Sequence, residues 1–152
     1  MSNSMADIDL TQFDEHSLKA LIEGKTDDEI NEGIDLVGVD KALAAAFEGM
    51  KKVFDPKMAD GQSVVLQYII DSNDGEKFWV VTVKDGVCTV EEGEDDNPRA
   101  TLELVLPDFF RILAGLVEPM MLFMSSKLRL QGDMMFAQTT QSWFPHQPES
   151  KK

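Results

Sequence analysis

Near residue 60 the spacing of apolar residues changes from one repeat to another, and neither an all-helical nor an all-β fold accommodates both halves. Upstream, Leu43, Phe47, Met50 and Phe54 recur at i, i+4, i+7 and i+11 and make one helical stripe. Downstream, residues 63–71 (SVVLQYIID), 77–84 (KFWVVTVK), 87–92 (VCTVEE) and 100–106 (ATLELVL) are rich in β-branched and aromatic residues and read as four strands. In the fourth, Ala100, Leu102, Leu104 and Leu106 face one way and Thr101 and Glu103 the other, so one sheet face needs an apolar cover. Asp74-Gly75 and Asp85-Gly86 are hairpin pairs and 93–98 is an acidic loop, which predicts that consecutive strands pair antiparallel as a meander. The fold class expected is α/β of the α+β type, a mostly antiparallel sheet covered by helices.

The helices have their own start and stop signals. Leu18, Leu21 and Ile22 share a face of a segment over 14–23 that Gly24 closes. Thr26-Asp27-Asp28-Glu29 has capping-box spacing and starts a second helix that runs to about Leu36. Asp40 is read as the cap of the third, and Asp55-Pro56 breaks it. After the fourth strand, Pro107-Asp108 opens a helix carrying Phe109, Phe110, Ile112, Leu113 and Leu116, and Pro119 opens a short one over 120–125. Residues 127–131 alternate as a fifth strand, and Asp133, after Gly132, caps a last helix to about Trp143 that Pro145 and Pro148 end. The organisation expected is a helical lead-in over 1–37, a domain over 38–145 and a disordered tail over 146–152.

A chain of 152 residues, 43% of them hydrophobic, is long enough for one well-buried core. Its net charge of -14, without a run of Lys and Arg, disfavours nucleic acid and anionic surfaces. No apolar stretch approaches the ~20 residues needed to cross a bilayer, and no leader opens the chain, so a soluble protein without stable membrane insertion is expected. The single cysteine, Cys88, excludes a disulfide framework and suits a reducing, cytoplasmic compartment. His16 and His146 have no second ligand at metal spacing, and the nucleophile-elbow, phosphate-loop and dinucleotide patterns are missing. Glu91, Glu92, Glu94, Asp95 and Asp96 lack the alternation of a calcium loop and read as a solvated turn. No catalytic residue, metal or cofactor is expected.

The chemistry that remains is apolar. Met120, Met121, Met124, Met134 and Met135 fall within 16 residues that also hold Phe123 and Phe136. Methionine is unbranched and polarizable, so a wall of it closes around flexible chains of different length. The plainer reading is that these side chains fill the core. Adjacent methionines point about 100° apart on a helix, which predicts that at least one of each pair is core. Met124→Lys separates the readings: weaker ligand binding with the fold intact for a cavity wall, a loss of several kcal/mol for packed core.

The stretch NPRATLELVLPDFFRILAGLVEPMMLFMSSKLRLQGDMMFA, over 97–137, resembles the signature half of the sterol carrier protein type 2 family of lipid-binding domains. In that family an Asn-Pro loop leads to a strand, an Asp-Phe helix, a Gly-x-x-x-Pro step, a Met/Phe helix, a Lys-Leu-x-x-x-Gly-Asp strand and a final apolar helix. Phe54-Asp55-Pro56, Ala59-Asp60-Gly61 and Lys84-Asp85-Gly86-Val87-Cys88 extend the similarity to about 40–144. Gln131 departs from the family, many members of which carry lysine there, and the lead-in is not part of its pattern. The resemblance implies a five-stranded sheet whose helices enclose an apolar tunnel for fatty acids, fatty acyl-CoA, sterols or other lipids, without catalysis. It implies a lipid-binding set of Phe109, Phe110, Leu113, Met120, Met121, Met124, Met134, Met135, Phe136 and Trp143. Lys127 and Arg129, with Arg111, are candidates for a charged head group, and Trp143 with Phe144 for a lid; their plainer readings are solvated side chains and a C-terminal anchor. The function expected is a lipid-binding or lipid-transfer protein. The alternative, from another class, is an accessory domain whose cavity is self-filled and which forms a homodimer or partner contact through the lead-in helices.

Overall fold

The computed structural model describes residues 15–144, with side chains from residue 18. The side chain of His16, His146, Pro145, Pro148 and the expected disordered tail lie outside the described residues. Four helices come first: α1 (Glu15–Ile22), α2 (Asp27–Val37), α3 (Val39–Lys52) and α4 (Pro56–Ala59). Then follow β1 (Val64–Ser72), β2 (Gly75–Lys84), β3 (Val87–Glu92), β4 (Ala100–Val105), α5 (Leu106–Leu113), α6 (Pro119–Met124), β5 (Arg129–Gly132) and α7 (Met134–Gln141).

Local chemistry accounts for most boundaries. The Thr26 hydroxyl accepts from the Glu29 amide at 3.2 Å while the Thr26 amide donates to Glu29 Oε1 at 2.9 Å, the reciprocal capping box that starts α2. Asp40 is not the cap of α3: the helix begins one residue earlier behind Gly38, and the Asp40 carboxylate pairs instead with Lys77 on β2 at 3.0 Å. Asp55-Pro56, read as a simple break, starts the one-turn α4, with Pro56 at its first position and Asp55 Oδ1 accepting from the Lys57 amide.

The five strands form one sheet in the order β3-β2-β1-β4-β5. Antiparallel pairing holds for β1-β2, β2-β3 and β4-β5, but β4 runs parallel to β1 with Leu66 opposite Ala100, which corrects the meander. The chain leaves edge strand β3, crosses the sheet ends over 93–99 and enters on the far side of β1. Gln67, a polar side chain buried in β1, holds that crossover. Its amide nitrogen donates to Gly93 O at 3.0 Å and Trp79 O at 3.1 Å, and its oxygen accepts from the Asp95 amide at 2.8 Å.

The helices cover the face bearing Leu66, Tyr68, Ile70, Trp79, Val81, Leu102 and Leu104, all buried. Phe47 of α3 stacks on Trp79 at 4.7 Å, meets Tyr68 edge-on at 5.5 Å and lies 4.9 Å from Phe109 of α5, so one aromatic cluster ties helices to sheet. The lead-in joins this core: Leu18, Leu21, Ile22, Ile30 and Ile34 are buried within it.

Candidate functional site

Beyond the end of the aromatic cluster, α6 and α7 stand apart and leave a groove. Its volume is about 370 Å³. Leu102 of β4 forms its floor with Leu128 and Leu130, α6 contributes Pro119, Met120 and Phe123, and α7 contributes Met134, Met135, Ala137, Gln138 and Gln141. Glu118, just before α6, is the charged side chain on its wall. Behind the groove lies a chamber of about 30 Å³ that shares Leu102, Pro119, Leu128 and Gln141 with it and reaches Met50, Tyr68, Leu104, Phe109 and Ile112 in the core. The groove and the chamber thus lie on either side of these four shared residues.

The groove exists because the sequence holds its two walls from outside. Gly132 has φ +93°, and a Cβ there would come within 2.5 Å of Arg99 O, so glycine is required for the chain to pass β4 this closely. Asp133 then caps α7, accepting from the Phe136 amide at 2.9 Å, and its carboxylate takes Arg99 at 3.0 Å. The capping bond first, then Arg99, holds the Asp133 carboxyl below its usual range. Arg99 also lies 3.9 Å over the Phe136 ring. In the chamber, burial pushes the Tyr68 phenol up to about 12, partly offset by the Gln141 side chain within hydrogen-bonding reach.

Of the residues expected to hold lipid, Met120, Met134 and Met135 line the groove and Phe109 lines the chamber. Phe110, Leu113, Phe136 and Trp143 line neither. Phe110 is fully buried, and Trp143 is locked in the core, edge-on to Phe136 at 5.7 Å, with its carbonyl accepting from the Asp55 amide at 2.7 Å. With Phe144 against Phe54 at 5.5 Å, this end is an anchor, not a hinged lid. Met121 and Met124 are outside the groove and exposed, and Met120, Met134 and Met135 are exposed as well, so neither adjacent pair has the core member expected of it; α6 is a short surface helix, and Leu122 is its buried residue. Met124→Lys therefore touches neither a cavity wall nor the core.

Arg111 is not available for a head group. It bonds Asp27 of α2, Asp108 at 2.8 Å and Lys25 O at 3.0 Å, and so fastens the lead-in to α5. Arg129 is exposed and lies 3.6 Å from Glu103; Lys127 is exposed. Sequence reasoning missed Leu102, Leu128, Leu130, Pro119, Gln138 and Gln141, because strand alternation marks a residue as inward-facing without saying whether another side chain meets it. It also missed Asp71, Glu76 and Glu103, whose carboxylates gather on the outer sheet face within 4.8 Å of one another. Burial, then Asp71, raises Glu103 above its usual range.

The model of the SCP-2 sterol transfer family matches residues 40–145. Comparison with curated proteins gave no match. Among solved structures, palmitated SCP2L2 from Aedes aegypti is 22% identical, with a TM-score of 0.57 over 68% of this chain and 96% of that one. The apo form of Sterol Carrier Protein 2 from Yarrowia lipolytica is 16% identical, with a TM-score of 0.52 over 67% and 91%. The stereoselective inverting sec-alkylsulfatase of Pseudomonas sp. is 16% identical, with a TM-score of 0.60 over 82% of this chain, which spans only 22% of the sulfatase. At these identities the likeness is one of fold.

Proposed function

The chain belongs to the SCP-2 sterol transfer family, and from that premise we propose that it carries a lipid in the groove between α6, β5 and α7. Membership supports a lipid-binding or transfer role; the ligand class and the residues are our reading. The observation that carries it is an apolar groove of about 370 Å³ with an inner chamber behind it. That volume lies in the ~300–1,000 Å³ range of small-molecule sites. Leu102, Met120, Phe123, Leu130, Met134 and Met135 give the contact surface, and the methionines let one groove take ligands of different outline.

The groove also selects by charge. Lys and Arg are not among its lining residues, and Glu118 stands on its wall. A carboxylate or phosphate drawn inside would be desolvated without a cation. The ligand is therefore a sterol-like molecule or an acyl chain whose head group stays in solvent, near Lys127. Each buried methylene contributes about 0.8 kcal/mol, so roughly ten of them support micromolar binding. We read the protein as a carrier, not an enzyme, working in the cytoplasm, where the unpaired Cys88 stays reduced.

Met120→Trp tests this by filling the groove without burying charge. Affinity for cis-parinaric acid is expected to fall at least about tenfold, or 1.4 kcal/mol, with the urea midpoint kept. Unchanged affinity in the folded variant, or no probe binding by the parent chain, would sink the proposal in favour of a self-filled accessory domain.

A further inference from the structure

The groove's mouth is built of apolar side chains that no part of the described molecule covers. Met120 and Met134 are 39% and 46% exposed, and Met121, Met124 and Met135 are 61%, 74% and 81% exposed. On α6, Met120 and Met124 are four apart and Met121 and Met124 three apart, so they form one patch. Met120 meets Met134 and Met135 of α7 around the groove, which joins the two helices into one rim. An apolar rim of this kind marks a contact surface.

The charge pattern says what meets it. The chain carries -14 in all, yet residues 118–144, which include the groove-wall Glu118, hold two acidic residues, Glu118 and Asp133, against two basic ones, Lys127 and Arg129, so the rim is close to neutral. Asp133 is paired with Arg99 at 3.0 Å and Arg129 lies 3.6 Å from Glu103, so the rim stays near neutral beside the acidic body. A phosphate-bearing surface repels the acidic body and not this rim, so the molecule meets such a surface rim first. A second copy is a poorer occupant, since pairing rims would bring two bodies of -14 together.

The geometry points to the α6–α7 methionine rim as a docking surface for a phospholipid bilayer, from which lipid enters the groove without crossing water. The inference rests on the groove being the lipid site. Met121 and Met124 enter the acyl boundary while Lys127 and Arg129 stay at head-group level.

Flotation with phosphatidylcholine vesicles containing one fifth phosphatidylglycerol tests it on the full chain, with Met121→Gln/Met124→Gln as the variant, a polar change that adds no charge on a helix. Neither side chain lines the groove, so cis-parinaric acid affinity in vesicle-free buffer is expected to stay within about twofold while vesicle binding falls about tenfold. The inference is overturned if the parent chain does not float or if the double variant floats equally well. It is also overturned by a concentration-dependent dimer lost in the double variant, which would assign the rim to a second copy. Methionine-dependent flotation without probe binding would remove the groove reading and leave the docking surface standing.

Discussion

Tyr68 shows how one buried polar group becomes measurable. It is the chain's single tyrosine, packed between Phe47 and Phe109 at the inner end of the chamber. Burial raises its phenol from 10 to about 12, a change corresponding to about 3 kcal/mol. The folded state keeps this proton to higher pH than the unfolded chain, so the contribution is full below pH 10 and is lost as pH rises through about 12. Burial likewise raises the Cys88 thiol from 9 to about 11, so its loss begins earlier, above pH 9. Urea midpoints followed across this range should fall steeply in the parent chain, and Tyr68→Phe should flatten the upper part. An ultraviolet phenolate titration reads Tyr68 alone, and a midpoint near the ordinary value would contradict its burial. Such placements were partly legible in the sequence. Alternation put Leu102 on the covered face, whereas the exposure of Met121 and Met124 was not legible, because a short apolar helix carries no period that marks its wet side.

At the level of elements, the Gly132-Asp133 step decides whether the groove has two walls. β5 reaches β4 only because Gly132 passes Arg99 O without a Cβ, and the Asp133 amide then donates to that same oxygen at 3.0 Å. Gly132→Ala combines left-handed strain of about 1–2 kcal/mol with a backbone clash. It should lower stability by more than about 2 kcal/mol and loosen α7. Gly61→Ala is the control: φ is +76° but nothing lies within 4 Å of the added Cβ, so only the strain of about 1 kcal/mol remains. Equal losses in the two variants, measured by urea unfolding, would show that the close approach does not matter. Strand identities, both hairpins and the Asp133 cap were legible from period and turn chemistry. The parallel β1-β4 pairing was not, since it depends on a long-range clamp by Gln67, and a lone glutamine in an apolar strand does not announce its partners.

For the whole molecule, the question is whether the lead-in is an appendage to the family-matched unit over 40–145 or part of its fold. Leu18, Leu21, Ile22, Ile30 and Ile34 are buried in the common core, and Arg111 fastens α5 to Asp27 and Lys25. Five such side chains at about 1.5–3 kcal/mol each match the net stability of an ordinary domain, about 5–15 kcal/mol. Among the described residues of the lead-in, Leu36 is the large apolar side chain left exposed, so most of its apolar surface is already spent on α5 and its neighbours. A chain starting at residue 38 should therefore lose cooperative unfolding or aggregate, because α5 would present the uncovered seat of two helices. Arg111→Met, which keeps the stem and removes the fork, should cost less, about 1–3 kcal/mol for the unpaired, buried Asp108. A truncated chain that unfolds at the same urea midpoint as the full one would mean that the lead-in is held by the domain without supporting it, and would reopen a separate role for these helices.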